Sequence, residues 1–253
     1  MKVYNVKELL ELKEPLETPI ISDGILFPKT KLIIFGKYKS LKSMLGMHLA
    51  FSIAEGHNWI GFKTSNQRVL LIQMEIPQFL FRDRIQQYVS SDNHHPDNLY
   101  FISEPYLKLD RGYGLSKLET ILQTFQPHVL MLDPMYKQIS GNISEPHIAE
   151  AYQSNIDMLR EKYNLAVIIL AHSRQQLFTP QGMPLNMGGD ELMGSSNWPN
   201  WTDTLIRVVR DDPESDFITL TFEACRNTKK ELYPLRLKID RNDLHWKIIQ
   251  QDD

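Results

Sequence analysis

Five apolar runs interleaved with helically periodic stretches constrain the fold more than anything else in the chain. The runs are KLIIFG (31–36), RVLLIQME (68–75), LYFIS (99–103), HVLMLDP (128–134) and LAVIILAHS (165–173). Between them lie KSMLGMHLAFSIAEG, PQFLFRDRIQQYV, LSKLETILQTF (115–125) and IAEAYQSNIDMLREKYN (148–164). In the first of these, Leu45, Leu49 and Ile53 recur at helical spacing, and Gly56 is placed to stop the helix. Short, almost wholly apolar strands that alternate with helices predict an α/β fold with a mostly parallel sheet covered on both faces. A further short helix is expected over residues 5–13.

The pattern changes near residue 200. DTLIRVVRD, FITLTFEAC, LRLKID and HWKII are strand-like, with short polar breaks and no helix between them. They predict an antiparallel C-terminal extension of the same sheet. No linker divides the chain, so the expectation is one domain over residues 1–253, with residues 1–25 as an N-terminal arm or short helix. Two long loops, 135–147 and 174–197, each follow a buried strand. Loops of that length in a compact fold are usually functional or disordered.

The net charge of −3 argues against a surface coated for nucleic-acid binding, though not against a local basic channel. One cysteine, Cys225, rules out an internal disulfide and a two-cysteine metal site. Adjacent His94 and His95 on a polar turn are a poor basis for a metal hydrolase. The N-terminus carries no signal-peptide pattern, and no apolar run approaches the roughly 20 residues a membrane span needs. The expected setting is cytoplasmic, with no membrane partner.

Strand ends carry the chemistry. FGKYKSLKS follows the first run and opens the first long helix, the context of a phosphate-binding loop. Gly36, Lys42 and Ser43 have the spacing of Gly-x4-Gly-Lys-Ser, but Leu41 stands where the second glycine belongs. Glycine there would admit angles closed to other residues and leave room for phosphate. Leu41 is expected to turn its side chain away from phosphate with an ordinary negative φ. Lys42 would reach the outer phosphates, and Ser43 would take a Mg2+ position. Three further strands end in polar groups: Glu75, Asp133 and His172. Open α/β sheets bind ligands at that edge. Each residue alone reads equally well as a strand-end or turn residue, but four such ends in one chain are hard to ascribe to chance.

These stretches, with GSSNWPNWTDTLIRV, resemble the RecA-type P-loop ATPases over roughly residues 20–240, specifically the RepA-like helicase branch related to DnaB helicases and phage RecA-like recombinases. The resemblance implies a RecA-like P-loop NTPase core that uses ATP and Mg2+. It implies that Gly36, Lys37, Tyr38, Lys39, Ser40, Leu41, Lys42 and Ser43 cradle the nucleotide. Lys42 would hold the β- and γ-phosphates, and Ser43 and Asp133 would hold the metal. Glu75 would polarise the attacking water, and His172 would couple the γ-phosphate to the loop behind it. Arg226 would reach a neighbouring subunit's nucleotide, with Lys229 and Arg207 as alternatives and a solvated surface arginine as the plain reading.

The same resemblance implies a homo-oligomer, commonly a hexameric ring, whose loops line a channel for single-stranded DNA. Lys31, Lys137 and Arg174 would then contact phosphates, and Phe178 would stack on a base. Trp198 and Trp201 read as buried packing or a subunit contact rather than as base-stacking residues. The leading function is a DNA motor of the replicative helicase type, working with replication or recombination proteins. A recombinase or annealing ATPase, and a non-hydrolysing P-loop scaffold suggested by Leu41, stand as alternatives.

Overall fold

The computed structural model describes residues 3–12, 18–90, 95–174, 188–194, 198–210 and 212–249. Among the described residues nine strands form one sheet: β1 (Lys31–Gly36), β2 (Val69–Gln73), β3 (Leu99–Ser103), β4 (Val129–Asp133), β5 (Ala166–His172), β6 (Thr204–Val209), β7 (Phe217–Cys225), β8 (Leu235–Ile239) and β9 (Trp246–Ile248). The helices are α1 (Val6–Leu10), α2 (Lys42–Glu55), α3 (Gln78–Val89), α4 (Gly112–Phe125), α5 (Pro146–Tyr163) and the short α6 (Trp198–Trp201). Strand order is β3-β2-β4-β5-β1-β6-β7-β8-β9.

All pairings from β3 to β6 are parallel, and those from β6 to β9 are antiparallel. The antiparallel extension therefore begins one strand later than the sequence suggested. β6 is reached through α6 rather than a hairpin, so it can run parallel to β1.

Alternation along the strands separates two cores. Leu32, Ile34, Val69, Leu71, Met131, Ile168 and Leu170 face α2 and α3. Ile33, Phe35, Leu70, Ile72, Leu130 and Ile169 face α4 and α5. Each central strand is thus apolar on both sides, as a doubly covered parallel sheet requires. The Leu45, Leu49 and Ile53 stripe lies on the first core, but α2 is buried over nearly its whole length from Leu45 to Ala54. The C-terminal strands explain this, because Leu244 and Trp246 join the same core. The His48 ring meets His245 at 5.8 Å, and its Nδ1 hydrogen-bonds the Tyr88 hydroxyl of α3 at 3.0 Å. Burial pushes the His48 pKa down to about 4, so the His48 ring itself is neutral near pH 7.

Gly56 closes α2 in the left-handed region at φ 72°, as expected. The N-terminal helix is shorter than the sequence reading. It is capped by a reciprocal Asn5–Glu8 pair and buries no residue. Among the described residues no helix is long and apolar enough to cross a membrane. Phe178, His94 and most of loop 174–197 lie outside the described residues.

The two tryptophans do pack. Trp198 is fully buried against the Tyr152 ring at 5.6 Å, and Trp201 donates its Nε1–H to Asp157 at 2.8 Å. Replacing Trp198 by Ala is expected to cost about 3–5 kcal/mol in urea unfolding, the range for buried aromatics. A loss below about 1 kcal/mol would contradict the packing role.

Candidate nucleotide-binding site

β1 ends at Gly36, and the chain turns through Lys37–Leu41 into α2. Gly36 is required by its neighbour strand, since a Cβ there would lie 2.3 Å from the Val208 carbonyl oxygen of β6. The loop then uses left-handed backbone twice, at Lys39 (φ 60°) and Leu41 (φ 65°, ψ 18°). This corrects the expected negative φ of Leu41. The second-glycine position still imposes glycine-like backbone, and leucine adopts it at a cost of roughly 1–2 kcal/mol. The Leu41 side chain packs against the core on the α2 face. From the other side, Arg210 donates from Nη1 to the Lys39 carbonyl at 2.8 Å and from Nε to the Ser215 carbonyl at 2.7 Å.

No side chain caps α2. Its first N–H groups and positive dipole end therefore face the loop, an arrangement suited to anions. Lys42 opens the helix. Its Nζ donates to the carbonyls of Gly36 (2.9 Å) and Lys37 (2.7 Å) and to Ser40 Oγ (3.1 Å). Burial pulls its pKa down to about 8, against the attraction of Asp133 and Glu75. Ser40 is buried, Tyr38 is exposed, and Lys39 Nζ lies 5.7 Å from the Tyr38 ring centroid.

The parallel register brings the other strand ends alongside. Gly36 pairs with His172, and Gln73 pairs with Asp133. Ser43 and Asp133 line one small cavity, and the Asp133 pKa is raised to about 6. Burial is the main cause and Glu75 repulsion adds to it, while Ser43, Lys42 and His172 oppose them. A hydroxyl beside a carboxylate is an all-oxygen donor set, which suits Mg2+. Glu75 lies two residues beyond β2. Its Oε1 accepts from the Tyr136 hydroxyl at 2.8 Å and lies 3.8 Å from His172 Nε2. His172 and Tyr136 hold its pKa below the ordinary carboxylate value, with Lys42 assisting.

Four residues here went unread in the sequence. Gln73 is buried and anchors the turn, its Oε1 accepting the N–H groups of Glu75 (3.2 Å) and Ile76 (3.1 Å). Tyr136 holds the Glu75 carboxylate and Arg210 holds the loop. Arg84 of α3 is half-buried and lines, with Ser43, Glu75 and Asp133, a cavity of about 30 Å³, room for a water or two. Glu75 was visible as a strand-end carboxylate, whereas Tyr136 and Arg210 lie 61 and 171 positions from the residues they hold. Arg84 sits nine residues after Glu75 on the α3 face turned to the site, a spacing that could have flagged it.

Arg226 is not brought to this site. It follows β7, whose end pairs with the start of β6, so it lies at the opposite edge of the sheet. There it is exposed and donates to the Asn200 carbonyl at 2.5 Å. Arg207 is committed internally, with Glu223 at 2.7 Å and Glu191 at 3.3 Å, which removes it as an alternative. Lys31 is likewise no surface contact for DNA. It is buried, paired with Asp157 at 2.9 Å, and lies 4.5 Å from the Trp201 ring centroid. Arg174 donates to the Leu192 and Gly194 carbonyls. The 135–147 segment is not a free loop, because it starts in a 3-10 turn, Met135–Gln138, and buries Ile139 and Ile143.

Asp133 makes the site pH-sensitive. Its folded pKa of about 6 exceeds the unfolded value of 3.8, so the stability its protonation contributes is fully present below pH 3.8 and is lost as pH rises through about 6. Asp133→Asn is therefore expected to stabilise the ligand-free fold at pH 7.5 by on the order of 1–3 kcal/mol. The gain should vanish near pH 4. Thermal unfolding across that range checks it, and an equal gain at both pH values would refute it.

Known proteins share this architecture. A solved ATPase domain superposes with a TM-score of 0.69 at 13% identity, over 97% of this chain and 96% of that one. A DnaB-like replicative helicase gives 0.68 at 13% identity over 95% of this chain and 66% of that one. The RadB recombinase gives 0.59 at 14% identity, over 88% and 92%. No curated protein sequence matches the chain. The sheet order, the loop between β1 and α2, and the polar strand ends thus form a RecA-type fold, and the match of the AAA domain family (AAA_25) to residues 8–176 shows that the chain belongs to that family.

Proposed function

We propose that the protein is an ATP-dependent motor of the replicative helicase type, a single ATPase unit over residues 1–253 that hydrolyses Mg-ATP between subunits of a homo-oligomer and moves on single-stranded DNA. One observation carries the reading. Lys42, Ser43, Glu75, Asp133 and His172 gather at one edge of the sheet, while Arg226 stands exposed at the other. A basic group that stabilises phosphoryl transfer cannot come from Arg226 of the same chain, but a head-to-tail neighbour can present it. Such contacts close into rings, and a hexamer is the expected size.

In this reading the loop 36–43 and the α2 N-terminus bind the phosphates. Ser43 and Asp133 would hold Mg2+, and the ion would supply positive charge to the phosphates there. Glu75 orients the attacking water, and His172 reports the γ-phosphate to the segment behind it. The segments after β4 and β5 contact DNA, and partners in replication or recombination load the ring. The likeness to RadB supports a second reading, a recombinase or annealing ATPase on the same core. Unwinding and annealing assays run side by side distinguish the two. A non-hydrolysing P-loop scaffold is the weaker reading, because Glu75, Asp133 and His172 converge beside Lys42 although a scaffold needs no such group of charges.

Lys42→Ala is expected to lower DNA-stimulated ATPase at least about 100-fold, and Arg226→Ala about 1000-fold. Mixing the two variants should restore part of the activity, since a Lys42→Ala subunit can offer Arg226 to an intact loop next door. Mass measured in the same buffer gives the assembly. Wild type with no ATPase above the Lys42→Ala control, or monomeric with nucleotide and DNA present, would end the motor reading.

A further inference from the structure

We propose that Tyr136 is a positioning residue for Glu75, through which the segment following β4 sets the carboxylate that orients the attacking water. The proposal rests on the functional reading above for the role of Glu75, and on geometry for the pairing itself.

That geometry is specific. Glu75 is fixed at its backbone by the Gln73 side chain and at its carboxylate by the Tyr136 hydroxyl, which donates to Oε1 at 2.8 Å. His172 Nε2 approaches the same oxygen at 3.8 Å. The Tyr136 ring lies 5.4 Å from the His172 ring, so the two groups that meet Oε1 also hold each other.

The hydroxyl arrives on a braced arm. Lys108 Nζ donates to the carbonyls of Lys137 (2.6 Å) and Ile139 (2.9 Å). The Leu109 N–H donates to the Gln138 carbonyl at 2.7 Å, and the buried Gln138 side chain accepts from Tyr152. A movement of residues 135–147 therefore has to move Tyr136, and with it the orientation of Glu75. Contact of that segment with a polymer would reach the reacting carboxylate through one hydrogen bond.

Charge follows the same contact. Glu75 faces His172 from β5, Tyr136 and Asp133 from β4 and the turn after it, Lys42 from α2 and Arg84 from α3. The Tyr136 O–H, His172, Lys42 and Arg84 favour the ionised carboxylate, and Asp133 opposes it. Removing the hydroxyl alone moves the Glu75 titration upward.

Tyr136→Phe keeps the ring against His172 and deletes only the donor. In the 13C-labelled chain without nucleotide, the Glu75 carboxyl resonance, assigned with Glu75→Gln, should titrate at higher pH in the variant. In ATPase assays kcat should fall roughly 10- to 100-fold, the range for losing a hydrogen bond to a charged group. KM should stay within about twofold, and the acid limb of the kcat profile should move to higher pH. Lys108→Met loosens the arm but keeps the hydroxyl, and should move the Glu75 titration the same way by less. It also serves if Tyr136→Phe unfolds. A Glu75 titration unmoved by both variants, or wild-type kcat in Tyr136→Phe, overturns the proposal. Should wild type lack ATPase, the motor reading falls, while the carboxyl titration still decides the Tyr136–Glu75 pairing.

Discussion

Parallel pairing places the carboxyl ends of β1, β2, β4 and β5 along one edge of the sheet, and the site depends on that register. Gly36 stands beside His172, and Gln73 beside Asp133. A one-residue slip would turn every apolar side chain to the wrong core and carry the polar ends away from one another. The register is fixed by residues with no chemical role: Leu32 and Ile34 toward α2, Ile33 and Phe35 toward α5. Core packing on both faces thus holds the carboxylates, the histidine and the phosphate-binding loop within reach of each other.

The loop shows how a missing glycine is accommodated. Two left-handed non-glycine residues close together, Lys39 and Leu41, oppose the intrinsic preference of L-residues. Three features counter that cost. Leu41 gains apolar contact with the core, Arg210 bonds the Lys39 carbonyl, and the Lys42 ammonium ties Gly36, Lys37 and Ser40 together. The strand before the loop and the helix after it dictate the path between them, and the side chain at position 41 adapts to that path. A Gly36 replacement is a different matter, because the Val208 carbonyl occupies the space.

Much of this was legible in the sequence, for a definite reason. Buried parallel strands are nearly continuous apolar runs, so KLIIFG, HVLMLDP and LAVIILAHS announce both their structure and the polar residue at their ends. What the sequence hid depends on contacts between distant segments. Tyr136 meets Glu75 across 61 positions, and Arg210 meets Lys39 across 171. Charge alone misled at Lys31 and Arg207, since a basic residue looks the same whether it faces solvent or an internal carboxylate. The backbone of Leu41 misled because side-chain type is a weak guide to φ once flanking elements fix the turn. β6 misled because its strand-like composition says nothing about direction.

Burial works against two charges of opposite sign at this site, and that bears on the ligand it suits. Burial lowers Lys42 to about 8 and raises Asp133 to about 6, opposite displacements from one cause. The two attract each other, and that attraction only partly offsets the loss of water around each charge. An anion at the α2 N-terminus would favour the charged lysine, and a divalent cation at Ser43 and Asp133 would favour the ionised carboxylate. A neutral ligand would relieve neither. A ligand carrying both, a polyphosphate with its metal, relieves both at once and stabilises the folded chain by mass action. Desolvation of these two charges thus favours the class of ligand that the loop, the helix end and the strand-end carboxylates could hold together.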